Sequence, residues 1–308
     1  YRLEELRCEE NVDKVLYKGT FRISRDRYVV DLGTILNPDL TIATSAKDEA
    51  TGTHYSNADE KVTIIDTVTY TGLKKGQEYI MKGTLMDRET GEMILDGENR
   101  NITASKRFKP KTAEGSVEVK FEFDAKSLAG KSITIFEECM LDNTVIAVHK
   151  DLEDADQTIH VPSAGTTASD KNTGTHHAYA GEYVELTDTI EYRNLLPGET
   201  YTLHGTVVEK ETEQRLSEET QQEFIPEKAD GSIEIAFEIN GTDLSGKTAV
   251  IYEEIKIDGK SIAEHKDPEA KEQSIYFPKI GTKAMDKKSK TQEGDAREKT
   301  DNHRSGVL

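Results

Sequence analysis

The chain has 308 residues, enough for two or three domains of ordinary size. Charged residues make up 32% of it and the formal net charge is -19, a sign that repels nucleic acid and anionic membrane and argues against both as partners. Mean hydropathy is -0.68, yet Val, Ile, Tyr and Phe recur in short alternating runs, which implies solvated β-domains and not a disordered chain.

In chain order, residues 1–39 come first. No signal peptide opens them, so "YRLEELRCEE" reads as the middle of a longer chain. The stretch "GTFRISRDRYVVDLGTI" is β-rich and aligns with nothing later. Residues 1–39 are therefore expected to be the remnant of a preceding β-rich domain.

From Thr44 onward the chain repeats itself. "TSAKDEATGTHYSNADEKVTIIDTVTYTGLKKGQEYIMKGTLMDRETGE" matches "TTASDKNTGTHHAYAGEYVELTDTIEYRNLLPGETYTLHGTVVEKETEQ" at an offset of 122. Further on, "KFEFDAKSLAGKSITIFEE" matches "AFEINGTDLSGKTAVIYEE" at an offset of 116. The difference places an indel in the region "ILDGENRNITASK". Within each repeat, runs such as "KVTIIDTVTY", "EYIMKGTLM", "SVEVKFEFD", "SITIFEE", "TVIAVHK" and "QTIHVP" predict strands. Turn signals such as "LKKGQ", "LPGE" and "LAGK" separate them.

The expected fold class is all-β: tandem Ig-like β-sandwich modules in a linear stalk. Pro162 and Pro278 end the two modules, giving boundaries of 40–162 and 163–278. The linkers are a few residues long, so the modules are expected to stack on one another as semi-rigid neighbours. Thr282 lies 116 residues after Thr166, and residues 279–308 read as the truncated start of a next module or a disordered tail.

Cys8 and Cys139 have no counterparts in the other module, so both read as thiols and no disulfide per domain is expected. No zinc spacing, P-loop or GxGxxG occurs, and neither metal nor cofactor is expected. No run reaches the roughly 18 apolar residues of a membrane helix.

The reactive residues that recur in register are Thr44/Thr166, Asp66/Asp188, Glu137/Glu253, His149/His265 and Gln157/Gln273. Taken singly, each is an ordinary strand or turn residue, and a duplicated segment inherits neutral residues too. Asp48/Asp170, Gly52/Gly174 and Gly83/Gly205 recur as well and are assigned to turns and packing. As a set, the reactive residues make an acyl-transfer constellation. Thr on the first strand is the nucleophile and the Gln carboxamide on the last is the electrophile. His accepts the proton, and an Asp–Glu pair shares one, because like charges in one site raise one pKa. That shared proton is expected to polarise the Gln carbonyl.

The ordered motifs "T-x-A-x-D…TG", "DT-x-x-Y-x-x-L-x-x-G-x-x-Y-x-x-x-G-T", "I-F/Y-E-E" and "H-K-D…Q" over residues 40–278 resemble the VaFE-repeat, or Thr–Gln ester-bond, domains of Gram-positive surface adhesins. The resemblance implies a spontaneous ester between Thr44 and Gln157 and another between Thr166 and Gln273. The assisting groups are then Asp66, Glu137 and His149, and Asp188, Glu253 and His265. Ser45 and Thr167 stand next to the chosen threonines; Thr recurs at the chosen position in all three copies, and a neighbour on a strand points to the other face. The resemblance further implies a cell-surface stalk, probed by no ligand of its own, with host contact made by another domain. Two other readings exist: modules that bind carbohydrate or host protein on a loop face, which a chain without Trp supports poorly, and a hydrolase acting on an outside substrate.

Overall fold

The computed structural model describes residues 1–6, 8, 17–24, 29–32, 40–285, 287, 290 and 292. Two short exposed strands, Arg2–Glu4 (β1) and Lys18–Thr20 (β2), pair antiparallel. Both lie within residues 1–39, the stretch expected to be the remnant of a preceding β-rich domain. Of the expected third copy, residues 279–285 form no strand, and most of the remainder lies outside the described residues.

Between them stand two sandwiches of the same plan. The first has strands Thr41–Asp48 (β3), Val62–Thr71 (β4), Tyr79–Asp87 (β5), Thr103–Phe108 (β6), Gly115–Phe123 (β7), Lys131–Leu141 (β8), Thr144–His149 (β9) and Thr158–Val161 (β10). One sheet runs β3-β4-β7; the other runs β10-β8-β5-β6, with β9 also on β8. The second has Ser163–Asp170 (β11), Val184–Arg193 (β12), Tyr201–Glu209 (β13), Thr220–Phe224 (β14), Gly231–Ile239 (β15), Thr248–Ile257 (β16), Lys260–His265 (β17) and Ser274–Tyr276 (β18). Its sheets are β11-β12-β15 and β14-β13-β16-β17, with β18 also on β16. All these ladders are antiparallel.

Alternation explains why these segments are strands and which face each buries. On β4, Val62, Ile64, Val68 and Tyr70 point into the core, and Asp66 occupies the middle of that row. On β8, Ile133, Ile135 and Cys139 point inward, with Glu137 among them. The same parity puts Asp188 between Leu186 and Ile190, and Glu253 between Ile251 and Ile255. Each apolar face thus carries one acid at its centre, and the acids of the two sheets meet across the sandwich.

Gly83 pairs with Glu137, and Gly205 with Glu253. A Cβ on Gly83 would stand 2.5 Å from the Phe121 ring, and on Gly205 2.5 Å from the Phe237 ring. Glycine here lets an aromatic ring close the core beside the acid. Asp48 caps the loop after β3, its Oδ1 accepting from the amides of Ala50 and Thr51.

Two elements differ from the sequence reading. The strands β6 and β14 were not among the expected runs, because "TASKRF" and "TQQEF" are polar edge strands without apolar alternation. The extra residues of the first sandwich form a small hairpin in which Leu95 faces Asn101.

The sandwiches meet end to end, with only Pro162 between β10 and β11. Tyr55, from the loop after β3, is 5% exposed and belongs to the apolar cluster of the second sandwich. Its hydroxyl lies 2.6 Å from that of Tyr201, and the two rings meet edge-on. Asn194 adopts a left-handed conformation with φ of 60°, where the first sandwich has Gly72; Asn tolerates that region. Its amide nitrogen donates to the Lys131 carbonyl, and its oxygen accepts from Ser132 Oγ at 2.9 Å. Ser132 in turn lies 2.9 Å from His160 Nδ1.

Candidate functional site

The five recurring residues converge in each sandwich. Thr44 lies on the inward row of β3 with Ile42 and Ala46, whereas Ser45 points to the other face. Thr166 is buried on β11 and Thr167 is exposed. Antiparallel pairing sets Glu137 opposite His149 and Glu253 opposite His265. Gln157 donates from Nε2 to Glu137 Oε2, and Gln273 does the same to Glu253. Asp66, Glu137 and Gln157 are fully buried, as are Asp188 and Gln273.

One placement corrects the sequence reading. Neither Gln lies on the last strand: Gln157 closes a single 3-10 turn, Ala155–Gln157, immediately before β10, and Gln273 immediately precedes β18. The turn swings the carboxamide inward, where a strand residue would be fixed by the alternation of its neighbours. A second correction concerns the acids. Glu137 and Glu253 hold the carboxamide nitrogen and not the carbonyl oxygen.

The electrostatics follow from burial. Glu137 is pushed up to about 11, first by burial and then by the charge of Asp66 beside it. Burial also raises Asp66, against the opposing contacts of Glu137 and the Thr44 hydroxyl. In the second sandwich burial and contact with Asp188 push Glu253 up to about 11, and burial raises Asp188. Each pair therefore holds a proton at neutral pH. With both acids ionised, the two oxygens of Asp66 and Oε1 of Glu137 have no donor, and the same atoms are unmet in Asp188 and Glu253. A proton on the glutamate gives the facing aspartate its donor. The carbonyl oxygens of Gln157 and Gln273 also lack a donor.

The two histidines are not placed alike. His265 Nδ1 stands 3.1 Å from the Thr166 hydroxyl, the position of a general base. His149 makes no hydrogen bond to Thr44, whose hydroxyl faces the Asp66 carboxylate instead. Its Nδ1 lies 3.2 Å from the Ile42 carbonyl and its Nε2 2.9 Å from Asp154 Oδ2. Asp154 also caps the Ala155–Gln157 turn through Oδ1. Sequence reasoning missed Asp154, because its counterpart at the 116-residue offset is Ala270 and recurrence was the criterion. The signal that finds it is the cap position three residues before the Gln.

Among the described residues no group of three or more His, Cys, Asp or Glu is arranged to hold a metal ion. None of their helices is long and apolar enough to cross a membrane.

A family model described as a T-Q ester bond containing domain matches residues 40–161 and again residues 162–277. The chain belongs to the T-Q ester bond domain family. No curated protein matches the chain. Among solved structures it is similar to a bacterial adhesin from Mobiluncus mulieris containing intramolecular disulfide, isopeptide and ester bond cross-links, at 14% identity over 71% of this chain and 81% of that one, with a TM-score of 0.29. A glycosyl hydrolase family 2 member from Bacteroides cellulosilyticus is matched at 11% identity over 71% of this chain and 30% of that one, also with a TM-score of 0.29. Each of the two T-Q ester bond domains holds one buried Thr and one buried Gln of the recurring set, Thr44 and Gln157 in the first and Thr166 and Gln273 in the second.

Proposed function

We propose that the chain is a stalk segment of a Gram-positive surface adhesin in which each domain closes an ester between its own Thr and Gln: Thr44 to Gln157, and Thr166 to Gln273. The observation that carries this reading is the buried cluster itself, present twice. Each copy sets a buried Thr, a buried Gln carboxamide and a buried, proton-sharing acid pair beside a half-buried His.

The chemistry runs in one turnover. In the second domain His265 takes the Thr166 proton while Oγ attacks the Gln273 side-chain carbon. The singly protonated acid pair, whose Glu253 holds the amide nitrogen, gives that nitrogen a proton as the C–N bond breaks. Ammonia leaves, and the proton carried by His265 restores the acid pair. One hydroxyl and one carboxamide become one ester and one ammonia, with no proton gained or lost overall. The fold supplies effective molarity and excludes water, both of which a sluggish amide electrophile requires. Since the site is consumed by its own reaction, the chain is no turnover enzyme.

Such a bond ties the first strand to the turn that opens the last. Neighbouring domains of the same chain are its direct partners, and host ligand is bound by a different domain. The working place is outside the cell, at the wall. Intact mass under denaturing conditions tests the reading: two ammonia masses below the sequence mass are expected. The unmodified mass would overturn it.

A further inference from the structure

We propose that the second domain speeds ester closure in the first across their junction, with Tyr55 and Asn194 as positioning residues that seat β10, the strand into which Gln157 leads. This rests on the ester reading above. Gln157 is followed directly by β10, which is four residues long and pairs with β8 from Thr158 opposite Thr134 to Val161 opposite Lys131. So short a strand opens easily. A slip of one residue would turn its alternation over and carry Gln157 out of the cluster. Whatever fixes β10 in register therefore fixes the carboxamide.

The edge of β10 away from β8 is held by the loop after β3. The His160 amide donates to the His54 carbonyl at 2.8 Å, and the Ser56 amide donates to the His160 carbonyl at 2.9 Å. Between His54 and Ser56 stands Tyr55, whose ring lies in the apolar cluster of the second domain and whose hydroxyl meets that of Tyr201. The loop is thus fastened at its root by the first domain, where Ser56 Oγ donates to Asp48 Oδ2, and at its tip by the second. From the β8 side His160 is held again. Ser132, its partner across the ladder, lies 2.9 Å from its Nδ1 and donates to Asn194 Oδ1. Both holds on this one residue of β10 run to the second domain. The second domain repeats the hold on its own last strand without the outside pin. The Tyr276 amide donates to the His176 carbonyl at 2.7 Å, and the Ala178 amide to the Tyr276 carbonyl at 3.0 Å. His177, in the place of Tyr55, is exposed. Each outside contact on β10 raises the fraction of time the strand is seated, and a reaction confined to the seated state follows that fraction.

The test uses the full chain, recovered unfolded, shown by mass to have lost no ammonia, and diluted into native buffer. Once circular dichroism shows that folding is complete, peptide mass follows ammonia loss separately at Gln157 and Gln273. Asn194→Gly, a change made wholly in the second domain, should slow the loss at Gln157 about fivefold, the weight of one hydrogen bond, and leave Gln273 at the parent rate. Tyr55→Ala should slow Gln157 about tenfold or more. A second readout needs no reaction. In a chain carrying Thr44→Ala, adding Asn194→Gly should speed hydrogen exchange at the amides of Ser56 and His160 and leave the amides of β4 as they were. An unchanged rate at Gln157 in both variants, equal slowing at both glutamines in Asn194→Gly, or unchanged exchange would overturn the proposal and leave the ester reading standing. Ammonia loss at neither Gln in the parent would overturn the ester reading and this proposal with it.

Discussion

The buried cluster and the junction between the domains both join distant parts of the chain through polar groups, yet they are built on opposite rules. At the junction most of the polar groups are matched. The hydroxyls of Tyr55 and Tyr201 meet each other, and Asn194 uses both ends of its amide on the first domain. Asn57 Oδ1 and Ser261 Oγ are its unmet atoms. Inside each domain the balance is reversed. Carboxylate and carboxamide oxygens crowd together with too few donors, in a place where an unmet polar group costs about 1–3 kcal/mol. A matched polar surface serves recognition. An unmatched buried one is a site whose last proton and last bond belong to its chemistry.

The strongest way to break this comparison is to remove the nucleophile. Thr166→Ala deletes little volume and prevents the proposed bond, which would close the loop from 166 to 273. Chain-entropy reasoning developed for disulfides puts the loss at about 4–5 kcal/mol for a loop near a hundred residues. Thermal melting should fall, and a protease that spares the parent should cut the second domain. Reducing agent should change neither outcome. Equal melting and equal resistance in parent and variant would show that the pair does not hold the domain together.

The junction offers the next effect. Tyr55→Ala lies in the first domain but empties a buried position in the cluster of the second. A loss of about 3 kcal/mol is expected in the unfolding of the second domain. Tyr55→Phe keeps the ring and gives up the hydroxyl contact, which is worth about 1 kcal/mol. If Tyr55→Ala leaves the melting of the second domain unchanged, the junction is a contact without energetic weight.

The acid pair can be sharpened by pH. Glu253 is raised from an ordinary 4.5 to about 11, so the folded domain keeps a proton that the unfolded chain releases. Stability from this proton is full below the ordinary glutamate range and is lost as pH climbs toward the folded value. The slope is at most about 1.4 kcal/mol per pH unit for one proton. In Thr166→Ala, the urea midpoint of the second domain should therefore be higher at pH 5 than at pH 8, and adding Glu253→Gln should flatten the difference. A midpoint that rises with pH would mean that both acids are ionised in the fold.

The smallest effect belongs to Asn194→Gly. Glycine suits the left-handed turn, as Gly72 shows in the first domain, so the change removes the side-chain bonds to Lys131 and Ser132 and the contact with His160. A cost of about 1 kcal/mol is expected, with greater freedom between the domains in residual dipolar couplings. Unchanged couplings would place the rigidity of the junction in Tyr55.

The all-β sandwiches were legible because alternation states both the strand and its buried face, and that same parity carries Asp66, Glu137, Asp188 and Glu253 into the core. Recurrence then picked out the Thr, His and Gln that the fold gathers around them. What escaped was of two kinds. The edge strands β6 and β14 bury little, so composition leaves no period to read. Asp154, Tyr55 and Asn194 matter because the two copies differ there, with Ala270, His177 and Gly72 in their place. A search for sameness discards such positions. The exact seat of the Gln was also hidden, since a one-turn 3-10 segment before a strand has too few residues to show a period.

The passage from β10 to β11 across Pro162 has a consequence for length. Gln157 and Thr166 are nine positions apart in sequence. With both esters closed, a pull along the chain enters a domain at its Thr, crosses the new bond to its Gln, and leaves toward the next Thr after that short run. The hundred-odd residues folded between each Thr and its Gln lie off the line of force and have no slack to release. On the ester reading the segment then behaves as a ruler, its reach set by the number of domains and the short runs between them and unchanged by load.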